Sequence, residues 1–234
     1  MIENWKNKWL EPQEVLFCLV LTVLVLFSFS LTAVRIYHTQ QLYFLFLVFN
    51  LFLALLPWVG VATAHYWQRR GGSVWGLVVL LGLTIAFLPN APYLLTDLGH
   101  LKWASYSSIL WLDILMIVTY AVTGLVGFYA TVFVLEKVLL QYWGKKWTML
   151  ALVLLFFLNG FGIYLGRFLR FNSWDIVAHP WALVEVILER VLHPMAHPRT
   201  WGVTLGYGCL FLLGFVGLKL WQYALRNFAS KEVP

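Results

Sequence analysis

The chain is a succession of apolar runs, each near the length that crosses a lipid bilayer, and few folds accommodate that pattern. A hydrocarbon core of about 30 Å takes roughly 20 apolar residues of helix. Backbone polar groups inside it must be satisfied within the segment or by other protein. Runs of this kind cover about 15–34, 42–63, 74–88, 108–135, 147–165 and 201–220. They predict an all-α fold: a polytopic membrane helix bundle of about six transmembrane helices, forming a single transmembrane domain over residues 1–234. Only 11% of the residues are charged, against about 25% in a soluble domain. With no soluble module to carry it, the net charge of +6 argues for the lipid bilayer as partner and against nucleic acid. Cys18 and Cys209 sit in apolar runs and read as small buried hydrophobes rather than a disulfide.

The third run is broken. Phe87-Leu88-Pro89-Asn90-Ala91-Pro92-Tyr93-Leu94-Leu95-Thr96-Asp97-Leu98-Gly99-His100-Leu101 places two prolines, an amide, a carboxylate and an imidazole within a few residues. At about 1.5 Å per residue the helix from Val74 reaches Pro89 before it has crossed the core, so the break is expected inside the membrane or at its edge. Proline removes a backbone donor and crowds the preceding turn. Asn90 is expected to cap a new half-helix running toward Leu101, whose first amides would present a positive end to an anion. The alternative is a smooth proline kink in which neighbouring side chains or water satisfy the freed carbonyl and no site is implied.

The first run is too long for a signal-peptide core of about 7–15 residues and reads as a retained anchor. Between the fifth and sixth runs, Pro180 opens a pattern in which Trp181, Val184, Ile187, Leu188 and Val191 share one face while Glu185 and Glu189 share another. This predicts an interfacial helix before the last span. Gly162-x-x-x-Gly166 and Gly202-x-x-x-Gly206 predict close helix packing within the chain, with homodimerisation the alternative. Trp58, Trp75, Trp103, Trp147, Trp201 and Trp221 fall near predicted helix ends, as an interfacial belt requires.

Basic residues set the orientation. With both termini cytoplasmic, that side holds Lys6, Lys8, Arg69, Arg70, Lys137, Lys145, Lys146, Lys219, Arg226 and Lys231, and the other holds Arg35, Lys102, Arg167, Arg170, Arg190 and Arg199. The excess of positive charge inside favours this arrangement. The break and the end of the fifth helix then share the extracytoplasmic side.

That side carries Asn90, Asp97, His100, Asp113, Arg167, Arg170, Asn172, Asp175 and His179. Arg167 and Arg170 lie on one helix face and suit a carboxylate or phosphate. Snorkelling to headgroups and a structural ion pair with Asp97, Asp113 or Asp175 are the plainer readings. Asp97 with His100 and Asp175 with His179 have the spacing to offer a metal two carboxylates and two imidazoles. Such pairs arise by chance, a hydrogen-bonded network explains them as well, and no metal is assigned.

The run Phe87–Leu101, together with Leu165-Gly166-Arg167-Phe168-Leu169-Arg170-Phe171-Asn172-Ser173-Trp174-Asp175, resembles a family of bacterial integral membrane proteins known as domain of unknown function 1361. The resemblance implies a multi-pass protein of the bacterial cytoplasmic (inner) membrane, with functional weight on Pro89, Asn90, Pro92, Asp97, His100, Arg167, Arg170, Asn172 and Asp175. It names no reaction, substrate or cofactor.

Three functions follow. The first is a site on the extracytoplasmic side for an anionic or lipid-linked substrate, with Asn90, Arg167, Arg170, Asn172 and Asp175 binding it and Asp97 and His100 moving protons. The second is an accessory or assembly subunit whose polar cluster is a structural brace. The third is a transporter, for which Asn50, Thr119 and Asn159 are the polar residues nearer the midplane.

Overall fold

A computed structural model describes residues 10–101 and 109–229. Lys6, Lys8, Lys102 and Lys231 of the orienting charges, Trp103 of the aromatic belt and residue 108 lie outside them. The protein is all-α, and six of its described helices are long and apolar enough to cross a membrane. It comprises two compact units, Met1–Thr148 and Met149–Pro234.

In the first unit, α1 (Pro12–Thr39), α2 (Leu45–Arg69), α3 (Val74–Phe87), α4 (Asn90–Tyr93) and α5 (Leu110–Leu140) follow in order, with a 3-10 segment, Leu94–His100, after α4. The chain alternates between two ends. Glu11, Glu14, His65, Arg70 and Lys137 lie toward one, and Arg35, Asp97, His100 and Asp113 toward the other.

Helix α5 is the buried centre, and Tyr120, Phe128, Leu112, Met116, Ile117 and Leu135 are fully enclosed on it. Small residues let neighbours approach it closely. A Cβ added to Gly124 would run into the Ala91 carbonyl oxygen and come within 2.9 Å of Leu94. This fit sets α4 and the segment carrying Asp97 against α5.

Helix α1 is inverted relative to a soluble helix. Leu16, Leu19, Val23 and Leu26 are exposed, while Glu14, Ser28, Thr32 and Arg35 are among its buried residues. Lipid is as apolar as leucine, so helices gain from packing and polar contacts rather than from hiding leucines. Ser28 meets Thr123 at 3.4 Å and Thr32 meets the Tyr120 hydroxyl at 2.9 Å, joining α1 to α5.

The break at Pro89 differs from the expected capped half-helix. Leu88, Pro89, Tyr93 and Leu94 all keep right-handed helical dihedrals, and the path from Val74 to His100 runs as a single span. Only the hydrogen-bond ladder is interrupted, at Leu88 and Pro89. Asn90 does not cap; its side-chain amide turns back and donates to the Phe87 carbonyl at 2.8 Å. Pro89 leaves the Ile85 carbonyl without its usual donor, and the Leu88 amide takes it at 3.3 Å; the Ala91 amide turns to the Leu88 carbonyl at 3.1 Å, which leaves the Phe87 carbonyl to Asn90. Satisfied in this way, a kink is affordable at membrane depth.

The second unit holds α6 (Lys145–Phe168, most of it beyond Thr148), α7 (Asp175–Ala178), α8 (Pro180–Leu192), a 3-10 turn at Pro194–Ala196, and α9 (Pro198–Ala229). Helix α8 matches the predicted amphipathic segment, with Trp181, Val184, Leu188 and Val191 exposed. The close approach of α6 and α9 falls at Gly160 and Gly208 rather than at Gly202 and Gly206. A Cβ on Gly160 would meet the Thr204 carbonyl oxygen and the Gly208 amide, and one on Gly208 would meet the Phe157 ring, whereas Gly202 and Gly206 face open space.

Trp75, Trp147 and Trp221 are exposed as an interfacial belt requires. Trp58 is a core residue instead, packed edge-on against Phe17 with its indole N–H on the Cys18 sulfur at 3.3 Å.

Candidate functional site

The kinked third span delivers Asp97 and His100 to one end of the first unit. Asp97 is 1% exposed, and its Oδ2 accepts from the Asn50 amide of α2 at 3.2 Å. Its Oδ1 lies 3.7 Å from His100 Nε2. A buried carboxylate is costly unless hydrogen-bonded or paired, and Asn50 supplies a hydrogen bond. His100 itself reaches the surface, with its side chain 24% exposed, and its ring lies 4.8 Å from that of Phe46. Nε2 is turned to the carboxylate and Nδ1 is buried, so the arrangement is a carboxylate that orients an imidazole which is itself partly exposed.

Beside it, Arg35 Nε donates to Asp113 Oδ1 at 2.8 Å, both side chains being buried. Arg35 also reaches Thr39 and the Gln41 carbonyl, each at 3.2 Å, and lies 4.4 Å from the centre of the Phe44 ring. Asp113, offered from sequence as a partner for Arg167 or Arg170, is thus paired with Arg35. This pair is sealed, and its evident work is to tie α1 to α5.

The Arg167 motif belongs to the second unit. Arg167 is half-buried, Arg170 and Asn172 are exposed, and Asp175 is half-buried. Arg170 lies in the left-handed region at φ 62, where the chain leaves α6 and the Phe171 amide returns to the Leu165 carbonyl. Asp175 accepts from the Asn172 amide at 2.6 Å, a local turn that fixes the loop. His179 donates its backbone amide to the Asp175 carbonyl.

Nearby, Arg190 donates to Glu189 at 2.7 Å and to the Val186 carbonyl at 3.1 Å, while Glu189 lies 3.4 Å from His197. Burial opposes the charge of Arg190, but hydrogen bonds with Tyr164 and Glu189 outweigh it and raise the pKa above the ordinary arginine value. This knot ties α8 to α6.

At the opposite end of the first unit lies a cluster the sequence reading passed over. Glu14 of α1 and His65 of α2 are 2.6 Å apart and fully or nearly buried, Glu11 lies 3.7 Å from the same ring, and Lys137 of α5 meets Glu11 at 2.8 Å. Among the described residues, Glu11, Glu14 and His65 form the group whose ligand atoms are close enough to share one metal ion.

A family model described as "Protein of unknown function (DUF1361)" matches residues 49–213, well over half of the chain. The chain belongs to the DUF1361 family. Asn50, His65, Asp97, His100, Asp113, Arg167, Arg170 and Arg190 fall inside the DUF1361 match, whereas Glu11, Glu14 and Arg35 precede it. No curated protein and no solved structure matches the chain.

Proposed function

We propose that this multi-pass membrane protein binds or processes an anionic or lipid-linked substrate at the outer leaflet of the bacterial cytoplasmic (inner) membrane, with both termini cytoplasmic. The observation that carries the reading is the contrast between the two acidic residues at one end of the first unit. Asp113 is closed off by Arg35, whereas Asp97 sits behind an imidazole that reaches the surface. In this reading Asp97 and His100 move protons. Asn90 belongs with them in the first unit; in the second unit, taken by itself, Arg167 and Arg170 suit a negative charge, with Asn172 and Asp175 shaping the loop that carries Arg170. The excess of basic residues on the opposite side supports the orientation.

The test compares wild type, His100→Ala and Arg170→Ala in nanodiscs containing phosphatidylglycerol, using native mass spectrometry after gentle delipidation. Wild type is expected to retain more of the anionic lipid than either variant, each variant weakening its own unit's contribution while staying folded. Equal retention by all three would overturn the reading.

A second reading, an accessory subunit with a structural brace, is favoured by Arg35–Asp113 and by the Asn50–Asp97 hydrogen bond. It predicts that His100→Ala lowers thermal stability as much as it lowers retention. A transporter has less support, because Ser28, Thr123, Thr32 and Tyr120 meet one another side chain to side chain.

A further inference from the structure

The cluster at the other end of the first unit has the geometry of a metal site. Both oxygens of Glu14 are engaged: Oε2 accepts the Glu11 amide at 2.7 Å, and Oε1 faces His65 Nδ1 at 2.6 Å. With Nδ1–H donated to Glu14, the other ring nitrogen presents a lone pair. That nitrogen faces Glu11 Oε1 at 3.7 Å, which is also an acceptor. The gap is wide for an N–H···O hydrogen bond, which spans about 2.7–3.2 Å. It fits two ligands of a single ion, since donors about 2.1 Å from a zinc-class metal and about 110° apart stand about 3.4 Å from one another. An imidazole whose far nitrogen is held by a carboxylate is the usual arrangement behind a metal-ligating histidine. Lys137 donates to Oε2 of Glu11, and the Glu11 side chain also closes a capping box with the Glu14 amide, which fixes the carboxylate with Oε1 toward His65. Two carboxylates against one ammonium also leave a negative charge that a dication offsets.

We propose that Glu11 Oε1 and His65 Nε2 bind a divalent transition-metal ion, with Glu14 as the positioning residue and water completing the shell. Glu11 is 32% exposed, so water reaches this side of the cluster, while His65 at 2% anchors the buried side. An ion here clamps the start of α1 to the end of α2, independently of the Asp97–His100 end.

The test uses the full chain, stripped with chelator in detergent and titrated with cobalt(II) chloride, read by visible absorption and elemental analysis. Equimolar cobalt with ligand-field bands is expected for wild type, together with its loss in His65→Ala. Glu11→Gln, at a partly exposed position, is expected to stay folded and lose the ion. Glu14→Gln should weaken binding about 10–100-fold while keeping the same bands, because it turns the ring without supplying a ligand. No equimolar cobalt in wild type, or unchanged affinity in folded Glu11→Gln, would overturn the proposal.

Discussion

Arg35 and Asp113 form a buried ion pair, Nε to Oδ1 at 2.8 Å, between the last turns of α1 and the first turn of α5. Removing one member leaves an uncompensated charge at membrane depth. Asp113→Leu or Arg35→Met alone should therefore cost about 3–5 kcal/mol, and the double variant should recover most of it. Chemical unfolding in detergent measures the cycle. Additive losses would show that the two side chains do not act as a pair.

The glycines divide by what stands opposite them. Gly124→Ala would press against the Ala91 backbone, which cannot rotate away, and should cost about 1–3 kcal/mol. Gly206→Ala meets open space and should change stability by less than about 0.5 kcal/mol. Thermal shifts of the two variants, run side by side, check both.

Arg170 holds a left-handed conformation that glycine adopts freely. Arg170→Gly should raise stability by about 1 kcal/mol and reduce retention of an anionic lipid. A variant that is more stable and equally retentive would remove Arg170 from the substrate's binding residues.

The helices were legible in the sequence because length and apolarity specify a membrane span. The polar residues that join them were not, and the reason is where the runs were cut. Boundaries at 15–34 and 42–63 stop just short of Glu14, Arg35 and His65, since a hydropathy reading ends a run at its first charge. The helices continue to 12–39 and 45–69, and those charges become interior. The spacing of Ser28, Thr32 and Arg35, four and then three apart, is the sequence signal of a polar helix face that would have found the α1–α5 seam. At Pro89 the prolines marked the break correctly, but Asn90 has two local uses, a cap or a back-bond to a carbonyl, and only the path of the chain chooses between them. Asp97 and His100 were found from their spacing, whereas Asn50 comes from a distant helix and no local pattern announces it.

Orientation is checked by cysteine accessibility. Gln40 and Arg70 are exposed residues at opposite ends of the first unit. In intact cells a membrane-impermeant thiol reagent should label Gln40→Cys and spare Arg70→Cys. The reverse pattern would move the Asp97–His100 end to the cytoplasm.

The central claim is that the imidazole of His100 faces a ligand. The most direct measurement is the rate at which an imidazole-acylating reagent modifies His100, followed by peptide mass spectrometry. It is run in nanodiscs of phosphatidylcholine and of phosphatidylglycerol, with the exposed His179 as internal reference. Slower modification of His100, relative to His179, in the anionic lipid is the predicted result. Equal rates in the two lipids, with His100 reacting as freely as an unliganded surface histidine, would contradict it.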